Sequence, residues 1–235
     1  MGQNFLHMKV KTDLLNIFDS NHYNVGDRLL PELQLCKDLN VSRAALRKVL
    51  DELQSEGYIH RVQGSGTVLL KKRKRYKLDL SLLGSAADTI SGHTAMNISY
   101  FMINEIAAGD RYASILNVSP DERLLDVERI RSLDGIPAIC THDTLVKSRI
   151  NFKENLYAEI AISLSKTMGW DVEKCDASIR FYTADNLLAE KLNIPPDTAL
   201  LYIEEIARGK DELPLGYSRD FYIADLFDFH LLRRK

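Results

Sequence analysis

Residues 116–130, LNVSPDERLLDVERI, return 76 positions later as LNIPPDTALLYIEEI at 192–206, with eight of the fifteen positions identical. The match resumes one residue out of step, DGIPAICTHDTLV (134–146) against DELPLGYSRDFYI (211–223). Each copy reads as a helix end, a turn at Pro-Asp, a strand, a hairpin turn and a second strand. A chain that encodes this unit twice is constrained to an antiparallel sheet with approximate internal symmetry. Further strands are expected at MNISYFMINEIA (96–107), which alternates, and at EKCDASIRFYTA, which leads into the second copy. Between the copies, NLYAEIAISLSKTMGW (155–170) places Leu156, Ile160, Leu164 and Met168 on one helical face.

The first third of the chain follows another rule. Val10, Leu14, Leu15, Ile17 and Phe18 recur at helical spacing, and the pattern breaks by Gly26. Pro31 suits the first turn of a second helix, PELQLCKDL, expected to bury Leu33, Leu35, Cys36 and Leu39 and to end at a left-handed Asn40. Ser42 reads as the N-cap of a third helix that stops at Gly57 and carries an apolar stripe of Leu46, Val49, Leu50 and Leu53. YIHRVQ, the turn GSG and TVLLKK then predict a β-hairpin. Three helices and a hairpin make a winged helix-turn-helix. The glycine turn is not a phosphate loop, because no Lys-Ser/Thr pair and no helix follow it. After the basic run, LDLSLLGSAADTIS reads as weakly helical up to Gly92.

Charge separates the two parts. Residues 1–77 hold 14 Lys and Arg against 8 Asp and Glu, and residues 78–235 hold 17 against 25. A basic head on an acidic body suits nucleic-acid binding joined to a second task. The run KKRKRYK (71–77) is a linker by position whose charge adds sequence-independent attraction to phosphates. No apolar run approaches the ~18 residues of a membrane span. Three widely spaced cysteines, Cys36, Cys140 and Cys175, argue for a reducing cytoplasm rather than a disulfide framework.

The order of residues from Gly26 to Leu69, with VSRAALR, EG and QGSGT at fixed spacing, resembles the GntR family of bacterial transcription regulators. That resemblance implies DNA contacts by Glu32, Ser42, Arg43, Ala44 and Arg47, and by the wing residues Gln63, Gly64, Ser65, Gly66 and Thr67. The physics of the helix agrees: Arg43 and Arg47 fall one turn apart at the start of a recognition helix, and arginine grips guanine O6 and N7 bidentately. Leu30, Leu33 and Ala45 stand where the family usually has Pro, Arg and Thr, and the missing Arg removes one expected contact.

ERIRSLDGIPA, NLYAEI, LAEKLNIPPDTALLYIEEIA and PLGYSRDFYIADLFDF are similar to the UTRA effector-binding domain of the HutC branch. The implied fold class is α+β: a winged helix-turn-helix domain (1–70), a basic linker and lead-in (71–91), and a mainly antiparallel, chorismate lyase-like domain (92–235) that binds effector and dimerises. The resemblance assigns the effector cleft to Arg129, Arg131, Thr141, Tyr157 and Tyr222. Arg129 and Arg131, at i and i+2 on a strand, share a face and suit an anion such as a sugar phosphate. Phosphosugar-sensing relatives carry glutamates where this chain has Thr141 and Gly216. Asp143 and Asp220 hold equivalent repeat positions and read as structural first.

The implied protein is a homodimeric, cytoplasmic DNA-binding regulator, a repressor of a carbohydrate or related carbon-source operon, whose partners are double-stranded operator DNA and a small-molecule effector, with no membrane. No catalytic set is evident, no cofactor is required, and the six histidines lack metal-ligand spacing. Two other readings are an effector-independent dimeric DNA-binding protein and an enzyme sharing the lyase fold.

Overall fold

The computed structural model describes residues 2–20, 22–62, 66–83, 90–91, 96–149 and 172–233. The expected helix at 155–170 therefore lies outside the described residues. The chain divides into two compact units, one built on Met1–Lys74 and the other on Arg75–Asn193 and Asp197–Lys235.

The first unit has helices α1 (Gly2–Asp19), α2 (Glu32–Asp38) and α3 (Arg43–Ser55), then strands β1 (Ile59–Val62) and β2 (Gly66–Leu69). α3 forms where the sequence placed it. The Ser42 hydroxyl accepts from the Ala45 amide at 3.2 Å, Asn40 before it is left-handed (φ 51°), and Gly57 after it has φ 74°. Its stripe of Leu46, Val49, Leu50 and Leu53 is buried against Val10, Leu14 and Phe18 of α1 and Leu35 of α2. Lys11 of α1 donates to Glu52 of α3 and to Glu56, the residue that caps its C-terminal end, both at 2.6 Å.

One expectation for this unit is corrected. Leu33 is 56% exposed, because a helix of only seven residues has one inward stripe and Leu35 occupies it. The basic run, read as a linker by position, is also tied to this unit over its first three residues. Arg73 is tied to Asp19 at 2.5 Å with both side chains nearly buried, Lys72 donates to the Ser20 carbonyl, and Lys71 stacks over Tyr58. A third backbone pairing borders the hairpin, with Arg28 bridging Val68 and the Gly26 amide donating to the Leu69 carbonyl at 2.8 Å.

The second unit holds a six-stranded antiparallel sheet. Its elements are β5 (Met96–Ala107), α4 (Gly109–Leu116), β6 (Arg123–Leu133) and β7 (Ile136–Val146), then β8 (Lys174–Thr183), α5 (Asn186–Leu192), β9 (Ala199–Arg208) and β10 (Pro214–Ile223). The spatial order is β5-β6-β7-β10-β9-β8, so each repeat supplies three strands and the copies meet at β7 and β10. The symmetry is visible in detail: each repeat helix ends on a left-handed asparagine, Asn117 at φ 50° and Asn193 at φ 52°. At the centre, Thr141 faces Asp220 and Asp143 faces Ser218.

A smaller three-stranded sheet holds β3 (Tyr76–Asp79), β4 (Ile90–Ser91) and β11 (Phe227–His230). This replaces the weak helix expected from residue 78. β3 runs parallel to β11 from the far end of the chain, a nonlocal pairing that overrides local propensity. Residues 84–89 lie outside the described residues.

Candidate functional site

In the first unit, Ser42, Arg43, Ala44 and Arg47 are all exposed at the N-terminal end of α3. The cap turns the chain into the helix there, so the two arginines leave on the outer face while Leu46 and Leu50 point inward. Arg47 donates through Nε to Glu32 at 2.8 Å. Arg61 of β1 donates to Asp51 at 2.6 Å and to the Arg47 carbonyl at 3.3 Å. Glu32 thus holds one edge of the guanidinium and steers the rest outward. Gly66 begins β2 with φ 96°, a conformation that favours glycine, and Thr67 follows it half-buried. Gln63, Gly64 and Ser65 lie outside the described residues.

In the second unit, Arg129, Arg131, Thr141, Asp143, Ser218, Asp220, Tyr222 and Glu205 alternate onto one face of the sheet. The sequence reading supposed an exposed strand whose two like charges require an external anion. The strand is instead buried, with Arg129 1% and Arg131 2% exposed, and the chain brings its own anion: Arg129 donates to Asp143. Asp143 also accepts from the Ser218 hydroxyl at 2.5 Å. Arg131 donates through Nη1 to Thr141 at 2.8 Å, and Tyr222 donates to Asp220 at 3.3 Å. Tyr222 packs edge-on against Phe227 and Phe229, which places the small sheet beside this face. Tyr157 lies outside the described residues.

Several polar atoms here remain unpaired. Nε and Nη2 of Arg131 and Oδ1 of Asp220 are buried with no hydrogen-bond partner. Burial, and then the neighbouring Arg129, lowers Arg131 to about 10, so it stays charged at neutral pH. Burial and the nearby Asp143 raise Asp220. Burial, with Asp220 and then Asp143 adding repulsion, pushes Glu205 up to about 7.

Sequence reasoning missed Glu205 and the ion-pairing role of Asp143, since both depend on strand register. It also missed a group on the opposite face. The histidines have no metal-like spacing along the chain, yet β6 and β7 gather Glu128, Cys140 and His142 with ligand atoms all within 4.8 Å of one another. Burial pushes the Cys140 thiol up to about 12 and holds His142 below its ordinary value. The available signal was Cys-x-His on one strand, with a glutamate directly across from the histidine.

A winged helix with a charged recognition face, joined to a sheet unit with a buried and incompletely paired polar face, defines a DNA-binding regulator with a ligand-binding class of domain. Comparison with known proteins makes the class specific. The UTRA domain matches residues 95–228, and bacterial regulatory proteins of the gntR family match residues 6–69. The chain belongs to the gntR family of bacterial transcriptional regulators, among those carrying a UTRA domain. It is 25% identical over 215 residues to the probable transcriptional regulator PhnF of Escherichia coli K12, covering 88% of this chain and 87% of that protein. It is 26% identical over 230 residues to the probable fructoselysine utilization operon transcriptional repressor of Escherichia coli K12, covering 94% and 91%. In fold it is similar to the crystal structure of PhnF from Mycobacterium smegmatis, with TM-score 0.58 and 19% identity over 96% of this chain and 99% of that one. No helix among the described residues is long and apolar enough to cross a membrane.

Proposed function

We propose that this regulator is a homodimeric repressor of a carbohydrate or related carbon-source operon, released from its operator by a small anionic metabolite. In this reading residues 1–70 bind the operator through Glu32, Ser42, Arg43, Ala44, Arg47 and the wing. Residues 71–91 connect, and residues 92–235 bind the effector and dimerise. Two copies are required because one recognition helix reads too few base pairs for specificity in a genome.

The observation that carries the reading is the state of Arg131. A buried guanidinium with two unpaired nitrogens, near a buried carboxylate with an unsatisfied oxygen, is a costly arrangement in a protein interior. A ligand with an anionic oxygen cluster for Arg131 and a hydroxyl for Asp220 satisfies both. A phosphorylated sugar has those two groups within one small molecule, and the relative that represses fructoselysine utilization accords with a carbohydrate-derived effector. Arg129 serves the site indirectly, by neutralising Asp143.

The test is thermal shift of the full chain against hexose phosphates, the corresponding free sugars and inorganic phosphate. A hexose phosphate at ~100 times its Kd stabilises by about 2.7 kcal/mol. It also releases operator DNA in fluorescence anisotropy, and Arg131→Ala loses both responses while retaining operator binding. Stabilisation by free sugars alone, or release that survives in Arg131→Ala, refutes the assignment.

A further inference from the structure

We propose that Glu128, Cys140 and His142 form a binding site for a borderline-soft divalent cation of the zinc class, on the sheet face opposite the arginines. The three side chains come from two adjacent strands. Glu128 of β6 is the cross-strand partner of His142 on β7, and Cys140 lies two residues before His142 on the same side. Their ligand atoms form a near-equilateral triangle: His142 Nε2 to Glu128 Oε1 is 3.6 Å, Cys140 Sγ to His142 Nε2 is 3.7 Å, and Cys140 Sγ to Glu128 Oε1 is 3.9 Å. The centre of such a triangle is about 2.2 Å from every corner. Zinc bonds run ~2.3 Å to thiolate, ~2.0–2.1 Å to imidazole and ~2.0–2.2 Å to carboxylate. An ion at the centre therefore meets all three bond lengths with little movement of the strands.

Chemistry and charge agree with the geometry. One thiolate, one imidazole and one carboxylate form a mixed S, N, O set that favours zinc or cobalt over magnesium or calcium, which prefer oxygen alone. Binding displaces the thiol proton to solvent and forms a metal–sulfur bond, with no change of oxidation state. The ion's two positive charges then balance the Cys140 thiolate and the Glu128 carboxylate, so the buried centre is neutral. Glu128 and Cys140 are both buried, while the half-buried His142 opens a path for entry.

At present a cation of the chain's own occupies the carboxylate: Lys191 of α5 donates to Glu128 Oε1. An incoming ion has to turn this ammonium away. The side chain is 24% exposed and already sits 6.0 Å from the centre of the Tyr100 ring, so it has somewhere to go. Asp126, two residues before Glu128 on the same face, offsets the positive charge of Arg219, which pairs across from His142. Lys191 is thus a competitor for the site. The site backs directly onto the strand segments that carry Arg129, Arg131 and Thr141 on the other face.

The experiment titrates CoCl2 into the chelator-treated full chain, followed by absorption, and ZnCl2 by calorimetry. The expected result is one ion per chain, a thiolate-to-cobalt charge-transfer band and proton release. The band persists when Cys36 and Cys175 are both replaced by Ser. It disappears in Cys140→Ser, and in His142→Ala the affinity falls by more than the ~10–100-fold typical of outer-sphere substitutions. Lys191→Gln raises affinity by about 1.4–5-fold, the effect of removing an ion pair that competes for the carboxylate. Operator binding by each variant confirms folding, and His142→Ala, at a half-buried position, carries the test if Cys140→Ser fails to fold. Absence of a thiolate band, its survival in Cys140→Ser, or unchanged affinity in His142→Ala overturns the proposal.

Discussion

Glu205→Gln isolates the charge balance of the buried polar face. The folded pKa of Glu205 is raised from 4.5 to about 7, with burial the first cause and the carboxylates Asp220 and Asp143 next. For an acid shifted upward, the folded state holds its proton more tightly than the unfolded state. Its contribution is fully favourable below pH ~4.5 and is lost as pH rises through about 7. A shift of that size, at ~1.4 kcal/mol per unit, amounts to about 3 kcal/mol. Glutamine keeps the shape and cannot ionise, so wild type and variant have nearly equal stability at pH 4 and diverge above it. For a unit of this size, differential scanning calorimetry at pH 8 should show the second unit of Glu205→Gln melting about 6–12 °C above wild type. Comparing variant with wild type at each pH cancels titrations common to both. A gap that stays constant with pH, or a variant less stable at pH 8, refutes the reasoning and places the Glu205 carboxylate in contact with a cation or with water.

Two further outcomes follow from the ion pairs. Arg47→Ala should weaken specific operator binding by ~1–3 kcal/mol in gel-shift titrations, the loss of one bidentate base contact, while leaving the melting of the first unit unchanged. Arg129→Ala leaves the Asp143 charge buried and should destabilise the second unit by ~3–5 kcal/mol, and Asp143→Asn in the same chain should recover part of that loss.

What could be read from the sequence was what neighbours along the chain decide. Ser42 caps α3 and Asn40 turns left-handed because their own side chains and backbones settle those conformations. The strands β5 to β10 appear where alternation and turn residues placed them, since each repeat carries the signals twice. Pairings between distant residues were not legible. β3 is a strand because β11, some 150 residues later, lies along one edge of it and β4 along the other. Arg73 reads as one of several linker charges until Asp19 is seen against it. The same limit applies to the candidate sites. Sequence spacing put Arg129 and Arg131 on one face, but only the β6–β7 register brings Arg129 diagonally within reach of Asp143, and sets Glu128 across from His142 with Cys140 diagonal to it.

The repeat also shows where this sheet departs from its own symmetry. Symmetry is kept at the junction of the two copies, where Thr141 and Asp143 of β7 mirror Ser218 and Asp220 of β10. One strand further out it is broken by charge: Arg129 and Arg131 of β6 correspond to Glu205 and Ala207 of β9, 76 positions later. A symmetric face would offer two equal half-sites around its central axis. Here one side is cationic and the other carries an acid that burial biases toward its neutral form. The central aspartates are equivalent by sequence and different by environment, because Asp143 is neutralised by Arg129 while Asp220 keeps an open oxygen beside Arg131. In the proposed reading, this asymmetry orients the effector one way only, with its anionic group toward the β6 side and its hydroxyl toward Asp220.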